Sequence, residues 1–161
     1  MIRLARETDL PKLEWDGVYA SHRLVFQNTF AEMQQKRRLM LVAVAEEVMV
    51  GQVFVQLFSS ERQFADGVNR AYLYSLRVRP PWRGRGVGTR LIAAAEASLR
   101  ARGFIIAVIA AGKDNPGALK LYRRLGYHIF DEDPGVWYFT DVNGQQQSVE
   151  EPCWVMEKRL K

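Results

Sequence analysis

Three glycines at alternate positions, Gly84, Gly86 and Gly88, alternate with Arg83, Arg85 and Val87 in the stretch RPPWRGRGVGTRLI. Glycine lets a ligand come close to the backbone and lets the chain take tight dihedrals. The alanine-rich run that follows reads as a helix, and no Ser, Thr, Asp or Asn stands at its start to cap the first N–H groups. Bare N–H groups and the positive end of the helix dipole favour an anion there. Arg83 and Arg85 add planar cationic forks suited to phosphate. Pro80 and Pro81 stop the preceding strand and stiffen the turn. Residue types and spacing together describe a seat for a pyrophosphate.

Two better-known phosphate sites do not fit. A nucleotide-hydrolysing P-loop needs Lys and then Ser or Thr after its last glycine, whereas Thr89 and Arg90 stand here. A dinucleotide fingerprint places its glycines directly after the first strand, with an acidic residue about 20 positions on. Here the motif lies mid-chain behind Pro-Pro-Trp, and the corresponding later residues are the apolar run FIIAV. A lone cysteine, Cys153, excludes an internal disulfide and a cysteine-based zinc site. No metal is expected. The chain has two histidines, His22 and His128.

The charge distribution agrees with a local anion. The chain has 161 residues and a net charge of +5, yet Arg77 to Arg102 alone holds seven arginines against Glu96. That segment is therefore +6 and everything else −1, which argues against a long polyanion and for no nucleic-acid partner. At 48% hydrophobic and 25% charged the composition is that of a globular chain, taken as one domain over 1–161. MIRLARETDL lacks the apolar centre of a secretory signal, and no apolar run approaches about 18 residues. The expectation is a cytoplasmic protein with no membrane contact.

The elements that must position the seat follow from periodicity. Ile2 and Leu4 alternate with Arg3 in a first strand, and Thr8 or Asp9 caps a short helix with Pro11 in its first turn. Leu24, Phe26, Phe30 and Met33 give an apolar face to a helix over Val18 to Arg37. Two β-rich runs around Glu46-Glu47 predict an antiparallel hairpin. After a polar loop from Ser59 to Asn69, AYLYSLRVR is a fourth strand. A helix over Arg83 to Arg102 ends at Gly103, and FIIAVIAA is a buried parallel strand. NPGALKLYRRLGY is a helix with Pro116 in its first turn and Gly126 at its end. YHIFD, VWYFT and CWVMEKRL are further strands, with a turn at Asn143-Gly144. The class is mixed α/β.

LRVRPPWRGRGVGTRLI resembles the acyl-CoA-binding segment of the GNAT superfamily of N-acetyltransferases, matching it at Arg83, Gly86 and Gly88. A second segment of that family is matched in register by Asn115, Ala118, Tyr122, Gly126 and Tyr127. The likeness runs from the Ile2 strand to the Trp154 strand, though the first and last thirds match in layout alone. It implies a mostly antiparallel mixed sheet of about six or seven strands, flanked by about four helices and open in a V between the fourth and fifth strands.

The resemblance also implies roles. The pyrophosphate of acetyl-CoA would rest on the N–H groups of Arg83, Gly84, Arg85, Gly86, Val87, Gly88 and Thr89. The pantetheine arm would lie along Leu76, Arg77 and Val78 like an added strand, with an N–H near Leu76 polarising the thioester carbonyl. Asn115, with Ala118 in the same segment, would hold the arm. Tyr122 would lie at the sulfur and protonate the departing thiolate, as a phenol of pKa about 10 can. The fourth strand offers no carboxylate as base, so His22, His128 or a water chain is left for that role. The acceptor would be a primary amine, on a small molecule or a protein, met by the first two helices and the C-terminal strands. Trp15, Tyr19, Trp137 and Tyr138 with Asp131, Glu132, Asp133, Glu150 and Glu151 suit a cationic amine there. Cys153 is remote in sequence from both motifs, so attack by the amine is direct. The alternative is an acyl-CoA-binding regulatory module with little turnover, and homodimer formation is left open.

Overall fold

The runs RLMLVAVA and VMVGQVFVQ carry apolar side chains at nearly every position, so both faces of the strands they form must be covered. In the computed structural model, which describes residues 1–161, they are β2 (Arg38–Ala45) and β3 (Val48–Gln56). Glu46 and Glu47 join them with φ of 53° and 64°. Two positive φ values give the hairpin turn whose twist matches its strands.

β1 (Ile2–Leu4) pairs antiparallel with β2, and β4 (Arg70–Val78) pairs antiparallel with β3. β5 (Ile106–Gly112) follows through helix α2 (Val87–Ala101) and runs parallel to β4. β9 (Cys153–Arg159) and β6 (His128–Asp133) complete a seven-stranded sheet in the order β1-β2-β3-β4-β5-β9-β6. β7 (Val136–Thr140) and β8 (Gln146–Glu150) form a separate two-stranded ribbon. The sheet is antiparallel except at β4–β5, the neighbours joined by the crossover helix α2.

Each face has its own core. Leu41, Val53, Leu73 and Ile109 pack against α2, which buries Val87, Leu91, Ile92, Ala95 and Leu99 on one stripe. Leu91 and Leu99 are fully buried, so truncating either to Ala costs about 2–5 kcal/mol. α3 (Pro116–Arg124) packs on the same face through Tyr122. On the other face Met40, Val42 and Phe54 meet Phe26 of α1 (Arg23–Gln34) and Leu13 of the preceding 3-10 segment. The polar loop folds back, placing Phe64 over Val108 and Val155.

The layout is the expected mixed α/β one, with three boundaries that differ and one further strand. The first helix is a 3-10 segment, Glu7–Glu14, with Asp9 inside it rather than at its cap. α1 starts at Arg23 and not Val18: Trp15, Asp16 and Gly17 all take positive φ (49°, 56° and 107°), and a 3-10 turn, Ala20–His22, leads into the helix. α2 starts at Val87 and not Arg83, because Gly84 and Gly86 sit at φ of 75° and 80°. The strand pairing with VWYFT, QQSVE, was not foreseen; it is polar and exposed and carries no apolar alternation. No helix is long and apolar enough to cross a membrane.

Candidate functional site

β3 and β4 fall out of step at one place. Gln52 pairs with Arg77 and Phe54 with Tyr74, so Val53 alone faces both Ser75 and Leu76. Ser75 carries the extra residue of this bulge at a φ of 51°. The insertion brings Tyr72, Tyr74 and Arg77 onto one face, opposite Gln56, Phe54 and Gln52.

On its other edge β4 loses its partner. The parallel pairing with β5 ends at Leu73 and Ile109, although β4 runs on to Val78 and β5 to Gly112. β5 meanwhile stays paired with β9 as far as Gly112 and Cys153. From Tyr74 to Val78 the inner edge of β4 therefore faces a gap in the middle of the sheet. Backbone groups at such an edge are ready to pair with an extended ligand. Leu76, Arg77 and Val78 lie on it, as expected.

The segment expected to seat an anion stands beside that gap. After the 3-10 turn Pro80–Trp82, the Arg83 Nε donates to the Val78 carbonyl at 2.8 Å and ties the turn to the end of β4. Gly86 is the N-cap of α2, and no side chain caps the helix. The backbone N–H groups of Gly84, Arg85, Gly86, Val87, Gly88 and Thr89 donate to no atom of the protein, and the ladder resumes only with Arg90 N–H to the Gly86 carbonyl at 3.0 Å. Arg83 departs from expectation, since its own N–H donates to the Pro80 carbonyl at 3.2 Å. Gly84 and Gly86 are glycines because of their positive φ. Gly88 is different: its φ is ordinary and a Cβ there would meet only the Val78 Cγ2 at 3.9 Å. The fold does not require that glycine, and its missing Cβ leaves the backbone open to close approach.

α3 presents Asn115, Ala118 and Tyr122 on one side of its axis, at i, i+3 and i+7. The Asn115 Oδ1 accepts the Ala118 N–H at 3.1 Å and caps the helix, which leaves its amide NH2 as the group that can donate outward. Tyr122 is 7% exposed. Its hydroxyl makes no hydrogen bond, and burial pushes the phenol up to about 12, above the value expected from sequence. Tyr127, in contrast, is pinned: its hydroxyl donates to the Glu96 carboxylate at 2.7 Å, and Lys158 holds the same carboxylate at 2.9 Å. Tyr127 is thus a structural residue.

Across the sheet, on the α1 face, aromatic rings meet around His22. His22 stacks on Phe139 with centroids 4.4 Å apart, and Tyr19 and Trp137 stand at 5.9 and 6.2 Å. Burial, and then the charge of Arg77, hold the imidazole below its usual value, so it is neutral. The Arg77 guanidinium lies over the Tyr19 ring at 3.9 Å, and Trp15 packs edge-on against Tyr19 at 5.3 Å. A cleft of about 360 Å³ between α1 and the β7–β8 ribbon opens alongside, lined by Thr29, Arg38, Tyr74, Trp137 and Phe139 among others.

Not every expected acceptor residue joins them. Tyr138, 64% exposed, lines the cleft but stacks on none of these rings. Glu132 pairs with Lys113 at 3.0 Å, while Asp131 and Asp133 accept backbone N–H groups of their own turns. Glu150 is exposed. Of the acidic set only Glu151 lies near enough to act on Arg77. His128 is exposed on β6 and approaches Glu157 at 3.7 Å, away from the aromatic group. Cys153, distant in sequence, pairs with Gly112 at the open end of β5. Burial pushes its thiol up, Asp133 and Glu151 add to the effect, and a protonated thiol is a weak nucleophile. Sequence reasoning passed over Gln52, which is fully buried opposite Arg77. A glutamine inside VMVGQVFV was the available signal.

A profile of the acetyltransferase (GNAT) family matches residues 4–127. Among curated relatives, an uncharacterised N-acetyltransferase from Methanocaldococcus jannaschii is 40% identical over 57 residues, 35% of this chain and 25% of that one. An L-methionine sulfoximine/L-methionine sulfone acetyltransferase from Pseudomonas aeruginosa is 34% identical over 71 residues, 44% of this chain and 41% of that one. The matches thus span well under half the length of either relative. Among solved structures, the ribosomal-protein-alanine N-acetyltransferase from Brucella melitensis superposes with a TM-score of 0.75 at 22% identity, covering 99% of both chains. The PaiA N-acetyltransferase from Thermoplasma acidophilum, solved in complex with coenzyme A, gives 0.71 at 18% identity, covering 99% of this chain and 98% of that one.

Proposed function

The chain belongs to the acetyltransferase (GNAT) family, and on that premise we propose that it transfers an acetyl group from acetyl-CoA to a primary amine, by direct attack of the amine. The observation that carries this reading is the row of N–H groups from Gly84 to Thr89 without protein acceptors, beside the unpaired edge of β4. An anion on the first and an extended arm on the second describe one ligand with a diphosphate and an amide-rich tail.

Acetyl-CoA fits those residues and supplies the activated acetyl group as a thioester. The N–H groups of Gly84 through Thr89, with Arg83 and Arg85, hold the diphosphate. Leu76, Arg77 and Val78 offer backbone groups to the arm, and the Asn115 amide NH2 donates to it where α3 begins. The N–H at Leu76, next to the bulge, polarises the thioester carbonyl as a fixed donor. Tyr122, protonated at every physiological pH, gives its proton to the departing sulfur. The amine gives its own proton to water or to the neutral His22 imidazole. The lone, half-buried thiol of Cys153 stays out of the path and supports a cytoplasmic setting.

The named relatives act on amines as different as a protein alanine and a methionine analogue, so the shared chemistry is a primary amine. Release of free thiol on mixing the protein with acetyl-CoA and a panel of amines tests the reading. Thiol release dependent on one acceptor class is the expected result. Tight acetyl-CoA binding with no acceptor-dependent release from any amine would instead make the protein a binding module.

A further inference from the structure

The face of β4 that carries Arg77 holds more unpaired polar atoms than acetyl transfer needs. Gln52 has no exposed surface, and neither its Oε1 nor its Nε2 has a partner. Arg77 stands directly across from it on the same face, with Nη1 buried and unpaired. The Trp15 Nε1 is a third buried donor without an acceptor, and its ring packs on the Tyr19 ring that lies under the Arg77 guanidinium. Buried polar groups are almost always satisfied, so a set of neighbours left open together points to a group from outside.

The kind of group follows from the atoms. The donors outnumber the acceptors, and one donor is a guanidinium with a fork fitted to two oxygens. Arg77 makes no ion pair with a protein carboxylate; Glu151 acts on it only through its field, together with Tyr19. An incoming cation would meet Arg77 and be repelled, which argues against the cationic acceptor expected from the acidic C-terminal loops. The Gln52 Oε1 is the one acceptor and suits an amine N–H. Arg77 is also the residue after Leu76, so whatever it binds lies a few bonds from the acetyl carbon.

We propose that Arg77, Gln52 and Trp15 form a carboxylate seat, and that the acceptor is a small amino-carboxylate, of the size of a free α-amino acid, held by its carboxylate with its amine turned toward the thioester. This rests on the acetyl-transfer reading and narrows its substrate. The seat exists because of the bulge at Ser75, without which Arg77 would point to the α2 face.

The test compares each of the common L-α-amino acids with its own carboxamide, which keeps the amine and side chain and removes the charge. Thiol release with acetyl-CoA gives kcat/KM for both members of each pair. The wild-type protein is expected to prefer the acid over the amide by about 10²-fold or more for its best acceptors, since buried donors left unpaired discriminate strongly. In Arg77→Met, and less completely in Gln52→Leu, that ratio should collapse toward one. A second readout needs no turnover. Quenching of tryptophan fluorescence in the coenzyme A complex should follow the amino acid and not the carboxamide, with inorganic phosphate as an ionic control. Amides and simple amines used as well as acids would overturn the seat and leave acetyl transfer standing. Carboxylate-dependent quenching without thiol release would overturn acetyl transfer and leave the seat standing. Absence of both discrimination and quenching in every pair, or quenching by phosphate as strong as by the acids, would overturn the seat.

Discussion

Leu73 pairs with Ile109, and past that pair β4 and β5 have no further bond between them. Two residues on, Ser75 begins the bulge that shifts β4 against β3. The two irregularities lie on opposite edges of one strand, and each opens a different surface. The splay opens backbone groups for an arm lying between the strands. The bulge turns Arg77 onto the face of Tyr72 and Tyr74, where Tyr19 and Gln52 wait. In the proposed reaction, cofactor and acceptor would meet at Leu76 from the two sides of a sheet.

Ser75 holds its positive φ at a cost that glycine would avoid. Ser75→Gly should raise stability by about 0.5–1 kcal/mol in urea denaturation, with kinetics close to wild type. Ser75→Val, a branched residue in the same conformation, should lose more than about 1 kcal/mol. Equal stability of the valine variant would mean that no left-handed residue is needed there.

Gly88 sets fold against ligand. In the first turn of α2, with nothing nearer to a Cβ than the Val78 Cγ2 at 3.9 Å, Gly88→Ala should stabilise the helix by about 0.5–1 kcal/mol. It should also weaken acetyl-CoA binding at least tenfold in calorimetric titration, because the added methyl stands where the diphosphate approaches. Gly88→Asp and Gly86→Asp should abolish binding in a folded protein, and Arg83→Ala should cost about 1.5–3 kcal/mol of binding. A more stable Gly88→Ala with unchanged affinity would remove the diphosphate from α2.

Tyr122→Phe keeps the packed ring and removes the proton. Turnover should fall about 10²-fold with little change in acetyl-CoA affinity. A free phenol would ionise near pH 10 and lose this advantage, but burial pushes Tyr122 up to about 12. Raised above the free value, the group stays protonated through pH 10. The wild-type to mutant ratio should therefore be flat from pH 6 to 10 and decline only above. A ratio already falling at pH 9 would place the hydroxyl in water and not in the core.

How much of this was legible in the sequence depends on what each residue answers to. Gly84, Gly86 and the prolines answer to local dihedrals, and Asn115 with Pro116 to helix initiation, so the seat and α3 could be read directly. The bulge could not, because Ser75 in YLYSLRV looks like any strand residue and its conformation comes from β3 pairing with both of its flanks. The place of Arg77 on the open edge of β4 follows from the strand order, while the face its side chain takes does not, since it depends on that same bulge. The ribbon strand QQSVE is polar and exposed, and pairing with VWYFT rather than burial makes it a strand.

The turn at Glu46-Glu47 offers a test independent of any ligand. Both residues take positive φ, 53° and 64°, where Asn-Gly is strongly preferred, and two like charges stand side by side. Replacing the pair by Asn-Gly should raise the thermal midpoint by several degrees, about 1 kcal/mol, and leave turnover unchanged. A lowered midpoint would mean that the hairpin is closed by another turn.

Arg3 and Asp9 anchor the first strand to the 3-10 segment. Arg3 grips both oxygens of Asp9, at 2.6 and 3.0 Å, and the Arg6 N–H donates to one of them at 2.7 Å. Asp9 is 2% exposed, and the Arg3 hydrogen bond holds its carboxyl below the usual range, with burial opposing and the Arg6 N–H assisting. A carboxylate whose pKa is lowered on folding stabilises the protein above its unfolded value, about 3.9. That contribution is lost as pH falls through the lower folded value. Asp9→Asn should therefore cost about 1.5–3 kcal/mol at pH 7, the scale of hydrogen bonds to a charge. The gap should close as the wild-type carboxylate takes up its proton below pH of about 3.9. Arg3→Ala should be at least as damaging, because it leaves a buried charge alone, while the apolar pair Arg3→Met with Asp9→Leu should recover much of the loss. Denaturant titrations of the four proteins from pH 7 to 2 decide it. A gap between wild type and Asp9→Asn that stays constant over that range would show that shape, and not charge, holds the strand to the segment.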